Sequence, residues 1–398
     1  MKRNIEFPEY QEYKSFRLTN DQRPYFGLEQ VDDNWEEIEI KEGTTAFFDG
    51  DIIKKIITWE NFRQFEHYEI DTEIKTVDRK YILSKTSKGK EKKITPTNLL
   101  AVLPTGCRVY FSFNKKVPDS MVSASCPRNK RYLPITDDKE IMSISELNNW
   151  IDNYIKTCPP DYFEKVNKMR TSDHITVKYK VGDIFRFEID REHYGFGLII
   201  AKYSDIRKHS LFAENHPMLN AMTVPILIRL YKIKTRNQDL SQQEISSCVL
   251  LPPTLMSDNE ILWGTHEIVA RKELMEDDID FPMLAEYRVT RNDSTYMCFA
   301  WGTGMKVLSS ISNVPDEIRN NNNCIGVYGG LPLHQLTGAL KDGDGFSLDD
   351  LRNKRNEKKR ITVFKLFELS ENIDIDMFNK ETGGLTRKEY IEWTRLRK

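Results

Sequence analysis

The stretch KYKVGDIFRFEIDREHYGFGLIIAK, at residues 178–202, decides the fold of the middle of this chain. In its first part, Phe185 and Phe187 alternate with charged residues, which predicts a strand with one apolar and one charged face. Its second part, Phe196–Ala201, is continuously apolar and predicts a strand buried on both faces. Gly195 ends the connection between the two parts and can adopt a positive φ in a tight turn. The stretch therefore predicts an antiparallel hairpin that opens a β-rich domain.

Composition limits the class of protein. The chain has 398 residues, enough for two or three domains, and its 39% hydrophobic and 11% aromatic residues indicate ordinary folded cores. Its net charge of −2 creates no overall positive field that would attract nucleic acid. The sequence has no signal-peptide pattern, no apolar run of membrane-spanning length and no CxxC pair among its scattered cysteines. We therefore expect a cytoplasmic protein with reduced thiols and no membrane partner.

The residues before the hairpin predict strands and then helices. Apolar runs on both sides of the turn signal Asp49-Gly50 indicate a β-rich N-terminal part. Ser143 and Glu146 have the spacing of a capping box, and an apolar stripe over Leu147–Ile155 follows at helical spacing. Pro159-Pro160 ends this predicted helix, and a second short helix follows it. The two helices are interpreted as a connector.

The residues after the hairpin predict further strands. Val224–Lys232 and Ile261–Ala270 are strand-like, and a closing hairpin is expected around Arg291–Asp293. Near the C-terminus, Pro315–Asn323 predicts a helix and loop, and Ile361–Phe367 predicts a strand. A last short helix is expected after Thr386, which has capping-box spacing to Glu389.

These elements predict a β-rich α+β fold, with small curved antiparallel sheet or barrel domains joined by a short helical connector. The predicted parts are an N-terminal β-rich domain of unknown role at 1–138, the connector at 139–172, a central β domain at 173–304 and a mixed α/β extension at 305–398.

Sequence motifs for catalysis and metal binding are missing. The chain contains no GxSxG, no P-loop and no GxGxxG, and its histidines have neither HxH nor HExxH spacing. Asp342–Gly345 resembles part of a calcium loop, but Leu351 stands where such a loop needs a bidentate glutamate. We therefore assign no catalytic residue, no cofactor and no metal ligand. A hydrolytic metal site assembled from distant residues stays open as an alternative.

Two groups of residues are candidates for contact with a partner. His193 and Tyr194 lie in the predicted hairpin turn, where a rigid scaffold can present functional side chains. The alternative is a tyrosine folded over the end of the hairpin beside a solvated histidine. Four carboxylates within five residues form the second group, which predicts a negative patch for a basic partner or, alternatively, an exposed loop that leads into a helix. They are Glu276, Asp277, Asp278 and Asp280.

Two basic stretches are candidates for binding phosphate or nucleic acid. They are Lys75–Lys93 and Arg352–Arg360. A basic stretch is also typical of a solvated hairpin tip, and Ser87–Lys90 has the composition of such a tip.

Several short motifs together resemble one bacterial family. They are VGDIF at 181–185, YGFGLI at 194–199, ILWG at 261–264 and DFP at 280–282. Their order and spacing resemble immunity protein 26, a family also described as phosphotriesterase-like, over about residues 178–287. The resemblance implies a cytoplasmic protein of a polymorphic-toxin system that binds and neutralises a cognate toxin domain without chemistry of its own.

Three functions therefore stand as hypotheses. The first is an immunity-type protein that covers the active surface of a toxin domain, with a nuclease as one candidate partner. Nuclease toxins have basic substrate grooves, so an acidic and aromatic contact surface is expected. The candidate contact residues are His193, Tyr194, Glu276, Asp277, Asp278 and Asp280. The alternatives are a phosphotriester hydrolase, implied by the family's second description, and a nucleic-acid-binding module on the two basic stretches.

Overall fold

A computed structural model describes residues 8–85, 87–102, 104–117, 119–135, 140–213, 215–221, 223–289, 295–309, 318 and 326–396. The chain divides into two compact units. Unit 1 contains the residues up to Ile175 and the segment Asp190–Glu192, and unit 2 contains Thr176–Ile189 and the residues from His193 onward.

Unit 1 is built on an antiparallel sheet. Its strands are β1 Glu36–Lys41, β2 Thr44–Asp49, β3 Ile52–Asn61, β4 Phe65–Val77, β5 Tyr81–Ile82, β6 Lys92–Lys93, β7 Arg108–Phe113, β8 Ser120–Cys126 and β9 Arg131–Tyr132. They pair in the order β1-β2-β3-β4-β7-β8-β9, and β5 and β6 extend from the end of β4. The basic stretch Lys75–Lys93 therefore forms the end of β4, the two short strands and their turns.

Two helices cover the apolar core of unit 1. The first, Ile144–Lys156, begins as predicted, because Oγ of Ser143 accepts a hydrogen bond from the backbone N–H of Glu146 at 3.2 Å. The second helix is Tyr162–Thr171. The hydroxyls of Tyr154 and Tyr162 lie 2.8 Å apart. The helices share one buried cluster with strands β7 and β8, so they pack within unit 1.

Unit 1 also encloses a network of charged side chains. Lys55 on β3 is fully buried and pairs with Glu69 at 3.0 Å and with Asp71, both on β4. Nε of Arg23 lies 2.5 Å from Oε1 of Glu69, which ties the segment before β1 to the sheet. Burial raises the pKa of Asp71 to about 6, although Lys55 opposes the shift. Pairings of β3 and β4 that separated Lys55 from Glu69 and Asp71 would leave buried charges uncompensated and are therefore disfavoured.

Unit 2 contains two antiparallel sheets. The first has the order β13-β12-β11-β10-β14 and the second the order β15-β16-β17. Their strands are β10 Asp183–Glu188, β11 Tyr194–Lys202, β12 Pro225–Leu230, β13 Thr254–Ser257, β14 Glu267–Arg271, β15 Leu284–Val289, β16 Thr295–Trp301 and β17 Gly304–Ser309. In the described part of the chain neither sheet closes into a barrel, so the antiparallel-sheet form of the prediction is confirmed and the barrel form is wrong. The predicted β-rich α+β class is confirmed.

The hairpin β10–β11 forms as predicted, but its glycines act differently from the expectation. Gly195 lies opposite Phe187 and Gly197 lies opposite Phe185. A Cβ atom added to Gly197 would lie 2.3 Å from Cζ of Phe185, and one added to Gly195 would lie 2.5 Å from Cζ of Phe187. Neither glycine is among the positive-φ residues of the chain. The expectation of a positive φ at Gly195 is therefore wrong, and the two glycines make room for cross-strand aromatic rings.

Strand β11 is buried on both faces, as predicted. Phe196 and Leu198 belong to a core shared with β16, and Ile199 faces a second core with the helix Leu333–Leu340. The shared core also contains buried residues of the helices Glu357–Leu366, Ile375–Thr382 and Arg387–Arg395. The described C-terminal residues thus pack on the same core as the central strands.

Two predicted strands are wrong in part or in full. Ile361–Phe367 is mostly helix, because its buried residues Val363 and Phe367 are four residues apart and Ile361 points outward with 62% exposure. The run Ile261–Ala270 is divided by Gly264, whose φ of 66° ends a short helix before β14 begins. The predictions for Arg291–Asp293 and, apart from Ile318, for Pro315–Asn323 fall outside the described residues.

Candidate partner-binding surface

The VGDIF motif contributes buried contacts that attach the start of β10 to the end of β14 in the first sheet of unit 2. Gly182 has a φ of 90°, and a Cβ atom there would lie 2.6 Å from the carbonyl oxygen of Lys272. Asp183 is 2% exposed; it accepts hydrogen bonds from Nε of Arg271 at 2.6 Å and from the backbone N–H of Lys180 at 2.7 Å. These contacts fix the start of β10 against β14, so this part of the motif supports the scaffold.

The acidic cluster begins with a short 3-10 helix, Glu276–Asp278, in which neighbouring carboxylates have different environments. Asp278 is 4% exposed and pairs with Nζ of Lys272 at 2.8 Å. It also accepts a hydrogen bond from the backbone N–H of Met275 at 2.9 Å, which caps the segment. The Asp278 carboxylate is therefore neutralised inside the fold.

Asp280, in the DFP motif, belongs to a second internal pair. Its two oxygens accept from Nη1 of Arg352 at 3.0 and 2.9 Å. The same guanidinium binds the fully buried carboxylate of Asp350 at 2.8 Å and donates to the carbonyl of Phe281 at 2.9 Å. Burial raises the pKa of Asp350, and Arg352 opposes that shift. We name Asp280, Asp350 and Arg352 the arginine clamp, and it fastens the DFP motif to the C-terminal part of unit 2.

Glu276 and Asp277 are the two members of the cluster that face outward. Both are exposed, and the side chain of Asp277 is fully exposed. The guanidinium of Arg387 approaches the Asp277 carboxylate at 3.9 Å, the outer limit of an ion pair. The backbone of Asp277 is fixed, because its carbonyl accepts a hydrogen bond from Nη1 of Arg229 at 2.7 Å. A rigid backbone therefore presents these two carboxylates.

Tyr194 is the first residue of β11 and His193 immediately precedes it, and both are half-buried. The backbone N–H of Tyr194 donates to the carbonyl of Thr235 at 2.7 Å, and the N–H of Thr235 donates back at 3.1 Å. The guanidinium of Arg186 lies 5.5 Å from the centre of the Tyr194 ring. The backbone of His193 accepts from Ile189 at 2.8 Å. Backbone hydrogen bonds therefore fix this end of the hairpin, and the side chains of His193 and Tyr194 keep part of their surface in solvent.

The basic stretch Arg352–Arg360 does not form a uniform exposed strip. Arg352 is held in the arginine clamp, and Lys359 is 4% exposed. Burial lowers the pKa of Lys359 to about 8. Arg355 remains exposed. The clamp role of Arg352 was missed by sequence reasoning, which read this residue only as part of a run of charge.

The structure also bears on the calcium-like turn, on metal binding and on membrane-spanning helices. The carboxylate of Asp344, in the calcium-like turn, accepts from the backbone N–H groups of Phe346 at 3.1 Å and Lys354 at 3.2 Å. Among the described residues, no three His, Cys, Asp or Glu side chains are grouped so that they could hold a metal ion. Within the same described ranges, no helix has the length and apolar character needed to cross a membrane.

Comparison with known proteins gives one match. No curated protein matches the chain, and no solved structure matches it. The matching family model does not support the phosphotriesterase-like description. It covers less than a third of the chain, and its ends enclose the hairpin β10–β11, the acidic cluster and the DFP motif. The family that residues 180–293 match is described as immunity protein 26.

Proposed function

We propose that this protein binds a cognate bacterial toxin domain in the cytoplasm and neutralises it by covering the toxin's active surface, without catalysis. The observation that carries this proposal is the match of residues 180–293 to immunity protein 26. The match includes the whole first sheet of unit 2, so it concerns a folded domain and not an isolated motif.

The buried positions of several motif residues support a contact surface formed by exposed side chains. Asp183 and Asp280 are engaged by arginines within unit 2, and Gly197 contacts an aromatic ring. Such residues specify the scaffold, whereas exposed side chains on that scaffold provide affinity and partner choice.

The proposed contact surface contains Glu276 and Asp277, together with His193 and Tyr194. The two exposed carboxylates would attract a toxin with a basic substrate groove, such as a nuclease, and speed its association. Asp278 belongs to the proposed surface in a supporting role, because its pairing with Lys272 sets the direction of its neighbours. Asp280 has the same role through the arginine clamp.

The test pairs the full chain with a candidate toxin domain chosen from its genomic neighbourhood. We expect the wild-type chain to bind that domain and to restore growth of cells that produce it. The double substitution Glu276→Lys and Asp277→Lys should weaken binding by about tenfold or more, mainly through slower association at low salt. The exposed Glu371 in the same unit provides the matched control, and Glu371→Lys should leave binding unchanged.

The outcomes separate the function from its surface. A wild-type chain that neither binds the toxin nor protects cells would refute the proposed function. Full neutralisation by the Glu276→Lys, Asp277→Lys variant would refute the proposed surface alone. Turnover of an activated phosphotriester by the purified chain would instead support the hydrolase alternative.

A further inference from the structure

A cavity of about 560 Å³ opens in unit 2, and its lining contains none of the residues assigned above to toxin contact. Its size is within the range of sites that bind small organic molecules. Its walls combine the apolar side chains of Leu262, Leu274 and Ile391 with the aromatic residues Tyr179 and Trp393. A mixed wall of this kind suits a ligand with an apolar or aromatic body.

The rim segment Lys178–Lys180 is held rigidly although it has no regular secondary structure. The hydroxyl of Tyr179 donates to Oδ2 of Asp258 at 2.6 Å, and the residue is 7% exposed. On one side, the backbone N–H of Val177 donates to the carbonyl of Leu262 at 2.7 Å. On the other, the N–H of Lys180 is bound by Asp183 at 2.7 Å. Tyr179 points into the protein, whereas its two neighbours Lys178 and Lys180 are exposed. Because side chains alternate along a chain segment of this kind, the two lysines lie at the opening of the cavity.

The charged side chains that line the cavity are of two kinds: some form ion pairs within unit 2, and others have no oppositely charged partner among the described residues and are available to a ligand. Among the lining cations, Arg271 pairs with Asp183 at 2.6 Å and Lys272 with Asp278 at 2.8 Å. Arg395 is also paired, with Glu273 at 2.7 Å. In contrast, no carboxylate in the described part of the chain pairs with the lining residues Lys178, Lys180 and Lys202.

Lys202 is placed by the cavity wall itself. Its ammonium lies 4.6 Å from the centre of the Tyr179 ring and 3.4 Å from the Tyr179 carbonyl oxygen. The cavity has three lining acids: Glu273 pairs with Arg395, Asp258 accepts the Tyr179 hydroxyl, and Asp205 contacts the Ser204 hydroxyl at 3.5 Å. The available lysines therefore outnumber the available acids, and the cavity is complementary to an anion.

We propose that this cavity binds a small organic anion, with an apolar or aromatic body against Tyr179 and Trp393 and a phosphate or carboxylate group held by Lys178, Lys180 and Lys202. The proposal goes beyond toxin binding and does not depend on it. Trp393 lies on the C-terminal helix, outside the residues that match the family model. The site is therefore completed by a part of this chain that the family match does not include.

The test uses anilinonaphthalene sulfonate as a fluorescent aromatic anion with the full chain. We expect saturable binding that phenyl phosphate displaces, whereas benzyl alcohol, which is similar in shape but uncharged, should need a concentration at least about tenfold higher. The triple substitution Lys178→Gln, Lys180→Gln and Lys202→Gln should weaken dye binding by about tenfold. Val224 lines the cavity and is 47% exposed, so Val224→Trp should block it without removing a charge.

Two comparisons make the result decisive. Lys341→Gln, an exposed lysine of unit 2 outside the cavity, should leave dye binding unchanged. Thermal melting of each variant checks that it is folded. Dye binding that persists in both the triple variant and Val224→Trp would overturn the proposal, as would equal displacement by benzyl alcohol and phenyl phosphate. Because Glu276→Lys with Asp277→Lys should not change dye binding, failure of the proposed toxin surface would be seen separately.

Discussion

The arginine clamp allows a prediction whose size follows from burial. In Arg352→Met, the fully buried carboxylate of Asp350 loses its cationic partner, while that of Asp280, with 19% of its side chain exposed, can still reach water. The methionine occupies much of the volume of the arginine, so the main change is electrostatic. The clamp joins the DFP motif to the C-terminal part of unit 2. We therefore expect the loss of Arg352 to lower the stability of the whole unit.

The free-energy cost comes mainly from Asp350. Removing one member of a buried ion pair typically costs about 3–5 kcal/mol, because it leaves an uncompensated charge. For a unit of this size, that loss lowers the melting temperature by roughly 6–20 °C. Burial already raises the pKa of Asp350, and losing Arg352 removes the opposing influence. The folded-state pKa of Asp350, already above the unfolded value, therefore rises further in the variant. The destabilisation should be smallest at low pH and should increase as pH rises through the folded-state pKa.

Urea unfolding followed by tryptophan fluorescence measures this cost, since the Arg352 guanidinium lies 5.6 Å from the Trp301 ring. Asp350→Asn combined with Arg352→Met should recover a large part of the loss, because the buried charge is then absent. Arg355→Met, an exposed position nearby, should change the free energy of unfolding by less than about 0.5 kcal/mol. A cost below about 1 kcal/mol for Arg352→Met at neutral pH, or no recovery in the double variant, would refute the reasoning.

Two further predictions concern the stability of unit 2. Gly197→Ala should lower the free energy of unfolding in urea by about 1–3 kcal/mol, because the added Cβ would lie 2.3 Å from Cζ of Phe185. Gly338→Ala is the control, since its Cβ would meet nothing within 4 Å. Equal stability of the two variants would contradict the prediction. Burial lowers the pKa of His216 to about 4, so the unfolded histidine is protonated first as pH falls. The free energy of unfolding should therefore decrease by up to about 3 kcal/mol between about pH 6.5 and 4. In His216→Gln, the free energy of unfolding should decrease less between these pH values. An equally steep decrease in that variant would show that other titrating groups cause the pH dependence.

Much of the local structure could be predicted from the sequence because its causes are local. The doubly buried strand β11 follows from a continuous apolar run, and the helix after Ser143 follows from a cap and an apolar stripe. The error at Ile361–Phe367 has a physical reason. Its residue types favour strands, but the four-residue spacing of its buried positions matches a helix, and packing on the shared core decides between the two.

The candidate surface was less predictable, because its electrostatics depend on distant residues. The cluster of carboxylates is visible in the sequence, but Arg352 lies 72 positions from Asp280. Lys272 is near Asp278 in sequence, yet only the fold shows that both side chains are buried. A carboxylate count therefore overestimated the negative charge that this segment presents to a partner. The cavity was also missed, since it combines the rim segment with Trp393.

The contrast between Asp277 and Asp278 separates a scaffold position from a proposed contact position within one segment. Asp278 is enclosed and paired, so a change there alters the direction of the segment. The side chain of Asp277 is fully exposed and is approached by Arg387 only at 3.9 Å, so its replacement mainly alters the charge offered to a partner. On the proposed function, Asp278 and Asp280 maintain the fold, while Glu276 and Asp277 contribute to the choice of toxin. In that case, charge reversal at the exposed pair should change partner choice at nearly constant stability, while Asp278→Ala should lower stability and binding together.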